Sequence, residues 1–136
     1  MRDDQWLQDR LEDIWKTLYP DVEKKNKVNI KFQGRWKNKF GHIAMKGKNS
    51  EIVINGLFKH PLVPEYIIDN TIAHELSHYF HGFNSPYQQK YKDPHKGGVV
   101  TKEMQGRGFK NIIKKENEFL KKHWYKLYEV LKNEKF

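Results

Sequence analysis

The chain has 136 residues, a formal net charge of +9 and no cysteine. This length is enough for one domain with a hydrophobic core and too short for two ordinary ones, so we expect a single domain over residues 1–136. Without cysteine the chain forms neither disulfides nor four-cysteine zinc ribbons, and a bound metal would have to use His, Asp or Glu. No apolar signal core and no bilayer-length apolar stretch is present, so we expect a cytoplasmic protein with no membrane partner.

The first predicted element is an amphipathic helix, in which Leu7, Leu11 and Ile14 recur at helical spacing before Pro20 ends it. Three short segments with alternating apolar residues follow, at 28–32, 40–45 and 51–57. Clusters of Gly, Asn and Lys separate them. This pattern predicts three strands of a small, mainly antiparallel sheet.

A second helix is predicted from Glu65, after two prolines, to the neighbourhood of Gly82, with Ile68, Ile72 and Leu76 on one side. Residues 83–94 have the composition of a loop. A short helix through Met104 and a long final helix from about residue 109 complete the chain. The fold class is therefore α+β, with the sheet packed against the second helix and flanked by N-terminal and long C-terminal helices.

His74-Glu75-Leu76-Ser77-His78, inside the second helix, matches the pattern H-E-x-x-H. Residues four apart lie on one side of a helix, so the two imidazoles can bind one Zn²⁺ ion. Glu75 lies one position after the first ligand, where its carboxylate flanks the metal as a general base. A metal-activated water could then attack a peptide carbonyl. The alternative is a coincidental pair of surface histidines.

A catalytic zinc site needs a third protein ligand, and we predict His95 because a flexible loop precedes it and a helical segment follows it. Glu103 and His81 are the alternatives. His81 shares the helix face of the motif histidines, but convergence from three successive turns is awkward for a tetrahedral centre. His123 lies deep in the last helix and is better explained as a surface or packing residue.

From Gly34 to about Ile113 the sequence resembles the SprT-like metallopeptidase domain, the group that includes Spartan-type proteases acting on DNA–protein crosslinks. The resemblance rests on an ordered series: Gly34-Arg35-Trp36, Phe40-Gly41-His42, Ser50 to Asn55, and Pro64 to His78. It implies a third histidine ligand after a loop, which Asp93-Pro94-His95-Lys96-Gly97-Gly98 fits with one insertion. A rival alignment places Gln105-Gly106-Arg107-Gly108-Phe109 on that pattern and would imply lost or altered metal binding.

The sequence also resembles, more loosely, the minigluzincins, very small archaeal peptidases with three His ligands and C-terminal segments that can block the active site. This parallel implies that the basic C-terminal helix covers the cleft or exchanges with a neighbour. Packing of that helix on the sheet is the alternative, because its apolar stripe already suits that task.

Hydrolysis also benefits from a donor that stabilises the oxyanion, and Tyr87, Tyr91 and His42 are the candidates. For the substrate side, the strand at 40–45 is a candidate sheet edge on which an extended peptide could pair.

The function predicted from these residues is zinc-dependent endopeptidase activity on a protein or peptide substrate. Residues 20–50 and 83–136 each sum to +7, whereas residues 1–19 sum to −2 and residues 51–82 to −3. Basic segments attract polyanions, so DNA is a candidate partner and DNA-associated proteins are candidate substrates. A solvated lysine surface is the simpler interpretation of these segments. The alternative function is a non-enzymatic zinc-containing DNA-binding module.

Overall fold

The computed structural model describes all residues from Met1 to Phe136. Helix α1 (Asp4–Leu18) begins where the Asp3 carboxylate accepts a hydrogen bond from the Trp6 N–H at 2.8 Å, a side-chain N-cap. Its buried face carries the residues expected from the sequence, Leu7, Leu11 and Ile14. This face packs on the sheet and on the second helix.

The sheet has three strands, β1 (Val28–Gln33), β2 (Gly41–Lys46) and β3 (Asn49–Asn55), in the spatial order β1-β3-β2. The predicted α+β class is confirmed. The sheet is mixed, since β2 pairs antiparallel with β3 through a tight turn whereas β1 pairs parallel with it. This arrangement arises because the chain leaves β1, crosses to the far edge to form β2, and returns through the middle as β3.

Helix α2 (Glu65–Phe80) follows a 3-10 turn at Gly56–Lys59 and lies at the centre of the molecule. Twelve of its 16 residues are buried, because α1, the sheet, α3 and α4 all pack against it. Among these buried residues are polar ones that an ordinary packing helix would place in water, including Asn70, Glu75 and His78. A helix that buries such groups is a candidate for a functional role.

The C-terminal part begins with a 3-10 turn (Lys96–Gly98) and α3 (Val99–Gly106). The long helix predicted from residue 109 is present as α4 (Lys110–Phe119), a π-helical turn (Leu120–Trp124) and α5 (Tyr125–Leu131), with helical backbone angles at both junctions. Trp124 in the π turn is fully buried, and its ring packs edge-on against Phe40 and Phe58. Its indole N–H donates to the Lys37 carbonyl at 2.7 Å, which ties this helix to the segment before β2.

One hydrophobic cluster of 27 buried residues joins α1, the sheet, α2 and the C-terminal helices. No helix combines the length and the apolar run needed to cross a bilayer. The cytoplasmic location stays a prediction.

Candidate metal centre

Two of the predicted ligands lie on α2, where His74 and His78 are one helical turn apart. Their Nε2 atoms are 3.0 Å from each other. The backbone of His78 is buried in the core helix, and its ring packs edge-on to Phe83 at 6.1 Å between centroids. The His78 Nδ1 has no hydrogen-bond partner, so packing holds this ring in place.

The third predicted ligand, His95, reaches the same point from the loop that follows α2. This loop is anchored near its start, where the Ser85 hydroxyl donates to the Tyr79 carbonyl at 2.6 Å, and near its middle, where the Tyr87 hydroxyl donates to the Glu23 carbonyl at 2.7 Å. Further on, the Lys90 N–H donates to the His81 carbonyl at 2.8 Å. These bonds fold the loop back along α2 and leave His95 exposed beside the two helix histidines.

The three Nε2 atoms form a small triangle, since that of His95 lies 2.9 Å from His78 and 3.3 Å from His74. In an ideal tetrahedral zinc site, with Zn–N bonds of ~2.0–2.1 Å, ligand nitrogens are about 3.3 Å apart. Three imidazole nitrogens facing one another cannot all be satisfied by hydrogen bonds among themselves, whereas one cation accepts all three lone pairs. We call His74, His78 and His95 the histidine triad, and its geometry and chemistry fit a divalent metal ion.

Burial keeps two of these imidazoles in the neutral form that binds metals. It lowers the pKa of His74 to about 4 and that of His78 to about 3, with the neighbouring histidines adding to the effect. Both rings are therefore uncharged at neutral pH, so a metal would not have to displace their protons.

Glu75 lines the same cavity as the whole triad, a space of about 240 Å³ that opens to solvent beside β2. Its side chain is only 4% exposed. Burial raises the pKa of Glu75 to about 8, although the nearby Lys39 opposes the shift. A buried carboxyl with a raised pKa beside a metal site has the position and the proton affinity of a general base.

The rival third ligands, His81 after the end of α2 and Glu103 on α3, bond to each other. The fully buried His81 has its Nε2 2.9 Å from the Glu103 carboxylate, which also accepts from Arg107 at 2.9 Å. Arg107 in turn bonds to Asp21. This network connects α3 to α2 and to the segment after α1, and neither His81 nor Glu103 is among the three residues whose ligand atoms converge. His123 is exposed on the π turn.

Two of the three predicted oxyanion donors, Tyr87 and Tyr91, contact other residues and do not line the triad cavity. The Tyr87 hydroxyl bonds to Glu23, and the Tyr91 ring packs on His81 at 4.9 Å between centroids. On β2 the core-facing Ile43 is opposite Ile52, so strand alternation places the His42 ring on the other face, where it packs near Trp36. His42 nevertheless belongs to the wall of the triad cavity, and its Nδ1 is buried without a hydrogen-bond partner.

The last residues of the chain are docked away from the triad. The Arg35 guanidinium donates to the carbonyls of Leu131 and Glu134, at 3.2 and 2.6 Å, and lies 4.5 Å from the centre of the Phe136 ring. The final helix packs against α2 and α3 and joins the hydrophobic core, whereas the expected alternative was packing on the sheet. In this conformation the triad faces solvent.

No protein-family model matches the sequence, and the search of curated proteins gives no match. Among solved structures, the crystal structure of the metallopeptidase zymogen of Methanocaldococcus jannaschii jannalysin is similar, with a TM-score of 0.51 and 19% sequence identity. The match covers 85% of this chain and 95% of that one. The chain therefore shares the fold of that structure.

Within this fold, two residues near Glu75 were not expected from the sequence. Asn70 lies four residues before His74, on the same side of α2, and helical spacing alone could have indicated it. Glu116 comes from α4 and lines a second cavity with His74 and Glu75. No sequence spacing connects Glu116 to the motif, because only the packing of α4 on α2 brings it there.

Gly82 terminates α2 and directs the chain into the loop that carries His95. It has a φ of +83°, and a Cβ at this position would lie 2.5 Å from the Gln88 carbonyl oxygen. We therefore expect Gly82→Ala to lower the free energy of unfolding by about 2 kcal/mol or more, since the left-handed backbone alone costs a non-glycine residue ~1–2 kcal/mol. Urea unfolding of the metal-free protein measures the loss.

Gly47→Ala is the matched control, because Gly47 has a φ of +62° but a Cβ at that position would have nothing within 4 Å. The free energy of unfolding of this variant should fall only by the amount that the left-handed backbone costs an alanine. Equal losses in the two variants would mean that the contact with Gln88 is unimportant.

Proposed function

We propose that the protein is a zinc-dependent endopeptidase of the H-E-x-x-H type, with the histidine triad as metal ligands and Glu75 as general base. The observation that carries the proposal is the convergence of three Nε2 atoms within 3.3 Å of one another beside a buried carboxyl group in an open cleft. Zinc suits a set of three imidazoles, which leaves a fourth position for water or substrate. Structural zinc sites usually close all four positions with protein ligands, and this argues against the non-enzymatic alternative.

A zinc ion in the triad would supply a Lewis acid and lower the pKa of a water molecule to about 7. Glu75 takes the proton of the attacking water and later passes it to the amine that leaves. Its burial beside the triad restricts the carboxyl group and strengthens its interaction with a nearby positive charge.

The edge of the sheet offers a place for the substrate backbone. β2 pairs only with β3, so its outer edge has free backbone groups, and it packs beside α2 next to the triad. An extended peptide can add to such an edge by main-chain hydrogen bonds. The substrates that fit this mode are unfolded or flexible protein segments.

The experiment for the proposed function is cleavage of an unfolded, carboxymethylated protein by the zinc-loaded chain. We expect internal cuts, identified from new termini by mass spectrometry, that stop when a chelator removes the metal and resume when zinc is restored. A metal-loaded, folded protein that makes no cuts would contradict the proposal. Release of terminal residues alone would contradict the endopeptidase part.

We further propose a SprT-like role on DNA-associated proteins, supported by the ordered sequence series and by the surface of the final helix. Lys110, Lys114 and Lys121 are exposed, form no ion pairs, and share a helix face through spacings of four and seven residues. Their joint replacement by glutamine should weaken binding of duplex DNA and reduce its salt dependence. Unchanged DNA binding, measured by fluorescence anisotropy over a salt series, would argue against this role.

Zinc uptake should also displace a proton from Glu75. Burial raises the pKa of Glu75 to about 8, so the metal-free protein holds this proton at pH 6, and a dication in the triad favours the carboxylate. At pH 6 the wild-type protein should release about one proton more per zinc than Glu75→Gln. Calorimetry in buffers of different ionisation enthalpy measures this difference, and equal proton release would mean that Glu75 is already ionised or does not sense the metal.

A further inference from the structure

A second cavity of about 470 Å³ lies next to the triad cavity, with Gly41, His74 and Glu75 forming part of both. Its floor is the middle of α2, one wall is the segment before β2, and the other wall is the final helix. We call it the Glu116 cavity, after the carboxylate that α4 directs into it. A substrate bound across Glu75 would place the groups on one side of its scissile bond in this space.

Glu116 is half-buried and has neither a hydrogen bond nor an ion pair within the protein. Its neighbour Glu118, on the exposed side of α4, pairs with Lys122 at 2.7 Å. Burial alone raises the pKa of Glu116 to about 7, and no positive group of the chain counteracts the shift. A carboxyl group that has no hydrogen bond or ion pair within the protein is suited to bind a donor or a positive charge on a ligand.

Asn70 supplies a second unpaired acceptor in the same cavity. Its side chain is 5% exposed, and its amide oxygen is buried without a hydrogen-bond partner. An unsatisfied buried acceptor is costly unless a donor reaches it. Two residues that line one cavity, each with an oxygen that no donor of the protein reaches, point to a ligand group rich in N–H bonds.

The lysines at the mouth of the cavity favour the opposite charge and have to be weighed. Lys37 and Lys39 are exposed, and their ammonium groups lie 5.7 Å from the centre of the Tyr125 ring and 4.7 Å from that of Trp36. These cations therefore have aromatic partners at the rim, whereas Glu116 and Asn70 have none inside. We therefore expect the unpaired Glu116 and Asn70 to make the interior of the cavity favourable for a cation.

We propose that the Glu116 cavity is a substrate subsite for a cationic group, an ammonium or guanidinium, with Glu116 as its counter-ion and Asn70 as a further acceptor. The inference rests on the proposed peptidase function. It makes the enzyme selective for peptide bonds that have a positive charge on one side. That charge has two sources, a Lys or Arg side chain and the free amino terminus of a peptide.

The test compares acetylated and amidated peptides that differ at single positions around the cleaved bond, with Lys, Arg, Gln or Glu there. We expect one position at which Lys and Arg raise kcat/KM by about tenfold over Gln, the factor that corresponds to roughly 1.4 kcal/mol. Glu116→Gln should remove this preference, because it should lower kcat/KM for the Lys and Arg peptides about tenfold more than for the Gln peptide. Glu118→Gln, on the same helix, is the matched control and should retain the preference.

Two further measurements identify the source of the positive charge and test the subsite separately from the proposed peptidase function. A peptide with a free amino terminus next to the cleaved bond, compared with its acetylated form, shows whether the α-amine is the group that binds. Calorimetric binding of the Lys and Gln peptides to Glu75→Gln needs no turnover, and Glu116→Gln in that background should equalise the two affinities. Cleavage without a preference for cations, a preference for Glu, or a preference that survives Glu116→Gln would overturn the subsite. If no peptide is cleaved, the proposed function fails, and the binding arm alone decides the subsite.

Discussion

Replacement of Glu75 by glutamine is expected to abolish peptide hydrolysis while the protein still binds zinc. The amide has nearly the same size as the carboxyl group but cannot accept the proton of the attacking water. General base catalysis contributes about 10²–10⁴-fold to rate, so kcat/KM should fall by at least that factor. The measurement is cleavage of the unfolded protein by wild type and variant at equal zinc occupancy.

Glu65→Gln is the control for this variant, because Glu65 is exposed in the first turn of the same helix and takes no part in the triad cavity. It should retain full activity and full metal content. Substantial activity in Glu75→Gln at full zinc occupancy would show that another group takes the proton.

Replacement of His95 by alanine should cost both zinc and activity. The remaining pair, His74 and His78, would offer two nitrogens 3.0 Å apart from a rigid helix, and two ligands hold zinc much less tightly than three. We expect loss of metal content after dialysis, with the fold retained because His95 is exposed and outside the hydrophobic core. Metal analysis together with circular dichroism separates these effects.

The comparison variants are His123→Ala, an exposed histidine on the π turn, and His81→Ala, the rival ligand that bonds to Glu103. His123→Ala should keep its zinc. His81→Ala should lower stability through its buried network without the same loss of metal. Full zinc retention by His95→Ala would assign the third position elsewhere.

Local patterns in the sequence predicted the parts of the site that lie close together along one helix. The spacing of His74 and His78 follows directly from the helical repeat, and the expected position of His95 after a loop agrees with its approach to them. The geometry of the triad depends on more than spacing, since the loop is held by bonds such as that from Tyr87 to Glu23, which no sequence period reveals.

Features that depend on packing between distant segments could not be predicted. Alternation of apolar residues gives the strands but not their order, so the parallel pairing of β1 with β3 was not apparent. The apolar pattern of the last helix does not indicate the π turn at Leu120–Trp124. In the structure Trp124 of this turn is buried in the core. The approach of Glu116 to Glu75 likewise exists only after α4 has packed on α2.

The split origin of the histidine triad has a consequence for the folding of the whole chain. Two of its members come from the central helix and the third from a surface loop, so an ion bound by all three would close a ring of chain between His78 and His95. Because the three ligands converge only in the folded chain, the free energy of binding the ion would add to the free energy of unfolding. In a chain without cysteine, the ion would stabilise the fold as well as take part in catalysis. It would hold the loop that carries His95 more firmly against α2.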